Sequence, residues 1–201
     1  MLSLVSGVIL LITAFGADWK MLLAFLALGM VSIVAAITYT VGKRPYGYIG
    51  LGDASVLVFF GLVGVAGSYY LFTRQLTSGI VWPALSCGLF SIGVLNINNI
   101  RDIESDKKAG KFSIPVRMGK RNAALYHIAI VSIGVASAIA YTLKNYSGIA
   151  QWAFLLVVPL FVVICKAVWQ KPSEQLDPYL KRMAMATLLF VLLFGIGLLT
   201  T

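Results

Sequence analysis

Residues 76–111 read LTSGIVWPALSCGLFSIGVLNINNIRDIESDKKAGK, an apolar run that ends in a cluster of amides and charges. No charged residue falls between 76 and 100. At about 1.5 Å of rise per residue, a helix of that length crosses the ~30 Å hydrocarbon core of a bilayer. The stretch is therefore expected to be a membrane span whose polar end emerges at a membrane surface.

The same pattern extends in both directions. Charge-poor stretches at 2–17, 21–41, 54–73, 122–143, 146–165 and 183–201 join 76–100 to fill almost the whole chain. With 60% hydrophobic and 11% charged residues and a mean hydropathy of +0.92, the chain has too little polar surface for a soluble globule. The expected fold class is all-α: a polytopic transmembrane helix bundle of seven spans, with residues 1–201 forming one membrane-embedded domain. Cys87 and Cys165 lie in apolar stretches without metal-ligand spacing and read as packing residues. No basic segment precedes the first apolar run, so no cleavable signal peptide is expected.

A net charge of +9 raises the possibility of a nucleic-acid partner, but the placement of the charges excludes it. Of the sixteen Lys and Arg residues, thirteen fall in alternate loops, at about 42–53, 101–121 and 166–182, and only Lys20, Arg74 and Lys144 fall on the other side. By the positive-inside rule the richer side is cytoplasmic. The N-terminus and the three basic loops are thus expected inside the inner (plasma) membrane, and the C-terminus outside.

Within the second basic loop, Asn96, Asn98 and Asn99 are followed by Asp102, Glu104 and Asp106. Asn98, Asp102 and Asp106 recur every four residues, which on a helix keeps them on one face with a drift of about 40° per step. Two carboxylates and an amide oxygen make a hard oxygen-donor set suited to magnesium (Mg2+), which keeps positions open for water and phosphate oxygens. Arg101, Lys107, Lys108, Lys111 and Arg117 flank that face and can neutralise a diphosphate. The alternative is a solvated juxtamembrane charge run, although asparagines inside a span are costly and more often functional. The first basic loop, YTVGKRPYGYIGLGD at 39–53, carries three tyrosines, Lys43, Arg44 and Asp53 around a shaped turn. It reads either as a lid over an aromatic, anionic acceptor or as a set of interface anchors.

Together the two loops resemble the UbiA superfamily of intramembrane prenyltransferases. NxxxDxxxD at Asn98, Asp102 and Asp106 is similar to one of that family's two Asp-rich motifs. YTVGKRPYGYIGLGD with FFG at 59–61, and NNIRDIESDKKAGKFSIPVRMGK at 98–120, resemble the branch that prenylates 1,4-dihydroxy-2-naphthoate in menaquinone synthesis. The resemblance implies a nine-helix bundle, with this chain matching helices three to nine. On that alignment two helices and the first Asp-rich motif are missing from the chain. The expectation is then that the 201 residues bind diphosphate weakly and do not turn over alone.

For the site, the resemblance implies that Asp102 and Asp106 ligand magnesium, with Asn98 or Asn99 supplying an amide oxygen. Arg101, Lys107, Lys111 and Arg117 are the pool for contacts to a polyprenyl diphosphate. Lys43, Arg44, Tyr46 and Asp53 stand near the aromatic acceptor. The implied reaction alkylates the ring through an allylic cation, with loss of carbon dioxide when the acceptor is the naphthoate. Other family branches take 4-hydroxybenzoate and related acceptors. A transporter, the rival from another class, would place polar residues near the bilayer midplane and show an internal repeat. Neither is present. His127, the one histidine, is expected at the membrane interface. The glycines at 61, 64, 67, 88 and 93 could shape a groove for the prenyl tail or simply pack helices.

Overall fold

The structure, a computed structural model, describes residues 2–43 and 45–200. Its helices are α1 (Leu2–Phe15), α2 (Trp19–Thr40), α3 (Gly52–Thr73), α4 (Ser78–Arg101), α5 (Ile103–Lys108), α6 (Ile114–Lys144), α7 (Ile149–Gln170) and α8 (Asp177–Leu199). No strand occurs among the described residues. Each of the seven apolar stretches is helical. Six of the helices (α2, α3, α4, α6, α7 and α8) are long and apolar enough to cross a membrane. With 14 residues, α1 is shorter. The chain is a multi-pass membrane protein.

Two helices begin well before their apolar stretches do. Where apolarity puts the fifth and seventh spans at 122 and 183, α6 begins at Ile114 and α8 at Asp177. Apolar composition marks only the part of a helix that meets lipid, and the helix continues past the surface. Pro115 and Pro178, in the first turns, favour those entries because their missing N–H groups would have had no helical partner. Gly119, at φ 76° and ψ 162°, breaks α6 near its start.

The core lies between α4, α6, α7 and α8. Phe90, Phe154, Phe161 and Phe190 are almost wholly buried there. The Phe90 ring stacks on Phe161 at 4.6 Å and meets Phe190 edge-on at 4.7 Å. In a bilayer, lipid tails are as apolar as side chains, so such packing contacts rather than water exclusion decide how helices associate. By contrast, α2 buries no residue in this structure, and α1 buries only Phe15.

Close approach is set by small residues where α3 crosses α4. A Cβ on Gly61 would stand 2.7 Å from the Ala84 carbonyl oxygen and 3.1 Å from the Gly88 Cα. Both are backbone atoms that can move only with their helix. At Gly67 a Cβ would meet nothing within 4 Å. Gly61→Ala should therefore lower stability by about 1–3 kcal/mol through overpacking, while Gly67→Ala leaves it nearly unchanged. Thermal melting of the two variants in detergent checks the contrast. Gly61, Gly88 and Gly93 are thus packing residues, the second of the two readings allowed by sequence. Around Gly61, Leu57–Gly67 is wound as a π-helix, a rare form usually seen as a single turn.

Candidate active site

One end of the bundle gathers all three basic loops. The Phe112 amide donates to the Tyr48 carbonyl at 2.7 Å, joining the first loop to the second. Arg117 reinforces that joint, donating from Nη2 to the Ile49 carbonyl at 2.7 Å and from Nε to the Phe112 carbonyl at 3.0 Å. Lys120 donates to the Lys171 carbonyl and so ties in the third loop. The alternation of charge along the sequence thus corresponds to one physical surface.

At its centre the end of α4 carries two linked charge pairs. Arg101 donates from Nε to Asp102 Oδ1 at 2.8 Å and from Nη2 to Asp102 Oδ2 at 2.9 Å, a two-point grip. The same Nη2 reaches Asn98 Oδ1 at 2.8 Å, and Nη1 reaches Asp177 on α8. One turn on, Lys111 Nζ sits 2.7 Å from Asp106 Oδ2 and donates to Asn99 Oδ1 at 3.1 Å. The side chains of Lys111 and Asp106 are 17% and 13% exposed, against 29% for Asp102, so the second pair is the less screened by water.

The backbone explains why Lys111 returns to this face. Asp102 leaves helical geometry at φ −97° and ψ 11°, ending α4 and starting α5. Gly110 then adopts φ 70°, a left-handed conformation that glycine takes without steric strain. The Lys111 amide closes back on the Asp106 carbonyl at 2.8 Å, as in a Schellman cap. The expected single helical face of Asn98, Asp102 and Asp106 is consequently interrupted at Asp102. Backbone bonds Asp102 N to Asn98 O (3.0 Å) and Asp106 N to Asp102 O (2.8 Å) still keep the three in register.

The oxygen set fits a hard divalent cation by chemistry: two carboxylates with an amide on each side. Among the described residues no three His, Cys, Asp or Glu side chains gather as a ready metal cluster. The carboxylates are instead held by the chain's own cations, and a metal joining them would share or displace Arg101 and Lys111. Arg101 holds the Asp102 carboxyl below its ordinary value of 3.8 by hydrogen bonding, against a smaller opposing effect of burial. Because the folded-state value is depressed, the stability that this pair adds is complete above 3.8 and is lost as pH falls through the lower folded value. Arg101→Gln should abolish most of that pH-dependent increment, flattening this contribution to thermal stability measured between pH 2 and pH 6.

The remaining expected residues fall in two groups. Asp53 is buried, 7% exposed, and accepts a hydrogen bond from Tyr126 Oη at 2.7 Å. The Tyr39 hydroxyl lies against Gly52. Tyr46 meets the Tyr39 ring edge-on at 5.3 Å and bonds through its hydroxyl to the Ala35 carbonyl and Ser55 Oγ, both at 2.9 Å. Lys43 and Lys107 are exposed at the rim. Arg44 lies outside the described residues. His127, expected at the interface, is instead completely buried beside Gly93 and Met183, because α6 starts earlier and carries it into the bundle.

Tyr126 and Asp177 were not singled out as site residues by sequence, and Tyr39 entered only as one of the three tyrosines of the first loop. Tyr126 reads as one more aromatic in an apolar span. Asp177 carried a signal in its position at the head of the last helix, on the same membrane side as Asp102. Below the charged cluster an apolar cavity of about 380 Å³ opens, lined by Val56, Phe60, Val94, Leu95 and Leu180, with Asn98 as its amide-bearing residue. A second cavity of about 370 Å³ lies between α2 and α3, bordered by Tyr39, Tyr46 and Ser55 and sharing Val56 and Phe60 with the first.

A family model described as "UbiA prenyltransferase family" matches residues 2–192. Among curated proteins, the chain is 48% identical over 180 residues to a 1,4-dihydroxy-2-naphthoate octaprenyltransferase of Haemophilus influenzae, covering 89% of this chain and 58% of that protein. It is 46% identical over 175 residues to the Escherichia coli protein of the same name, covering 87% and 57%. It is 26% identical over 144 residues to a 2-carboxy-1,4-naphthoquinone phytyltransferase of Synechocystis, covering 70% and 44%. The chain thus spans 57–58% of the length of the two more similar relatives. No solved structure matches it significantly.

Proposed function

The chain belongs to the UbiA prenyltransferase family, and from that premise we propose that it serves the transfer of a polyprenyl group from its diphosphate onto 1,4-dihydroxy-2-naphthoate. The product, after loss of carbon dioxide from the ring, is demethylmenaquinone. The observation that carries this reading is the pair of charge clusters, Asn98–Arg101–Asp102 and Asn99–Asp106–Lys111, adjoining an apolar cavity. An amphiphile with a diphosphate head and an isoprenoid tail matches both parts. The names of the naphthoate-prenylating relatives support the acceptor.

Magnesium bound at Asn98, Asp102 and Asp106 would supply the charge that makes diphosphate a good leaving group. The chain's own residues do the rest. Arg101 and Lys111, released from their carboxylates, are placed to pair with diphosphate oxygens, and Lys107 adds charge at the rim. Arg117 fixes the two loops against each other rather than standing free, so its role toward diphosphate is positioning. Asp53, held by Tyr126, and Tyr39 and Tyr46 form the aromatic side, where a hydroxylated ring finds acceptors and an edge-on partner. Lys43 and Arg44 would attract the acceptor carboxylate. This surface faces the cytoplasm of the inner membrane in this reading, following the basic loops.

Equilibrium binding of a radiolabelled prenyl diphosphate to membranes carrying the chain tests the proposal. Saturable binding that requires magnesium and is displaced by inorganic diphosphate is the expected result. Binding indifferent to magnesium would remove the proposed metal site.

A further inference from the structure

A cavity larger than either of those beside the candidate site lies away from it. It is an open groove of about 590 Å³ between α6 and α7, in the size range of small-ligand pockets. On α6, Leu125, Ser132 and Ala136 line it, and on α7, Val162, Lys166 and Trp169. Leu125, Ser132 and Ala136 follow one another at steps of seven and four residues and so share one helical face. The small side chains at Ser132 and Ala136 leave a trough along the seam of the two helices that larger ones would fill. Among the described residues no further helix covers it: Leu125 is 51% and Val162 59% exposed.

The charge at one end of this groove is what distinguishes it from an ordinary lipid-facing surface. Lys166 lines the groove, and the Arg121 guanidinium lies 5.9 Å from the centre of the Trp169 ring that closes it. Both cations are exposed, and among the described residues neither is paired with a carboxylate. Lys120 and Lys171, joined by a hydrogen bond, add two further basic side chains at the same end of the bundle. A tryptophan beside Lys and Arg at a helix end is the composition of a membrane interface, and long basic side chains extend their charge to the headgroup level.

We propose that this groove is a binding site for an anionic phospholipid of the surrounding bilayer, with an acyl chain lying between α6 and α7 and the headgroup phosphate held by Lys166 and Arg121. Charge complementarity selects the occupant. A zwitterionic lipid offers the same chain but carries a compensating cation next to two unpaired basic groups. A neutral quinone product offers no partner for them at all.

The test uses Trp169 as the reporter. Fluorescence of the chain minus that of its Trp169→Phe variant isolates this ring, and lipids brominated on the acyl chain quench it on contact. The chain is reconstituted with increasing mole fractions of brominated phosphatidylglycerol or brominated phosphatidylcholine. Half-maximal quenching should need at least about threefold less of the anionic lipid, given two cations at the headgroup level. Arg121→Gln with Lys166→Gln should bring the two lipids to the same curve. Ser132→Leu with Ala136→Leu should weaken quenching by both lipids while the cations stay in place. Circular dichroism confirms the helix content of each variant, and single Lys166→Gln, expected to reduce the preference, replaces any that unfolds. Equal curves for the two lipids in the unaltered chain would overturn the proposal, as would a preference that survives the charge substitutions. Displacement of the anionic lipid by farnesyl diphosphate would give the groove to a substrate instead. Protection of Trp169 by self-association would give it to a second copy of the chain, and either result also overturns the proposal.

Discussion

Asp102→Asn should weaken magnesium-dependent binding of a prenyl diphosphate by at least about tenfold, and Asp106→Asn by a similar factor, the scale seen when groups around a metal are altered. The substitution keeps the size of the side chain and one oxygen, and removes the charge. Arg101 retains Asn98 and Asp177 as partners, so the join between α4 and α8 survives. Melting temperature should therefore change little while binding falls. A merely structural carboxylate would show the reverse. Because Asp102 and Asp106 are held in register by one backbone bond and would share one diphosphate, the double variant should lose less than the product of the single losses. Measured binding isotherms at several magnesium concentrations supply all three numbers. If Asp102→Asn binds as tightly as the unaltered chain, the carboxylates serve only to pair Arg101 and Lys111.

The fold was legible because lipid imposes a single requirement. Every backbone polar group in the bilayer must be satisfied internally, so an apolar stretch of bilayer length has to be a helix. Hence 76–100 could be read as a span, and the basic loops as one surface. The ends of α6 and α8 were not legible from the same signal, because apolarity stops at the membrane surface and the helices do not. That error carried His127 to the interface when it lies in the core.

The site shows a similar division. Asn98, Asp102 and Asp106 could be selected because polar groups at the end of a span need a reason, and their spacing gave one. The kink at Asp102 could not be read, since it depends on α5 turning back through Gly110 to bring Lys111 onto Asn99 and Asp106. The bond from Tyr126 to Asp53 joins positions 73 residues apart. It exists only once α6 packs beside the start of α3. Long-range pairs of this kind leave no periodic trace in a chain where most residues are apolar.

Phe190→Ala should be the most destabilising single change in the core. Its ring meets Phe90 at 4.7 Å and Phe154 at 5.3 Å edge-on, and stacks on Phe194 at 5.9 Å. In a water-soluble protein the loss would run to about 3–5 kcal/mol, as transfer and cavity terms add. In a bilayer the transfer term largely vanishes, because an unfolded or separated helix exposes the ring to lipid rather than water. What remains is the cavity and the aromatic contacts, each of the latter about 0.5–1.5 kcal/mol. A loss of about 3 kcal/mol is therefore expected, and Phe190→Leu should recover more than half of it by refilling the space. Phe72→Ala, at a ring 85% exposed, should change stability little. Reversible denaturation in mixed micelles compares the three. The same packing holds α8 against α4, and α8 carries Asp177 to Arg101. Loosening it should thus weaken diphosphate binding in Phe190→Ala at temperatures where the helices are still formed. If binding there equals that of Phe72→Ala, the aromatic core and the charged end of the bundle are independent.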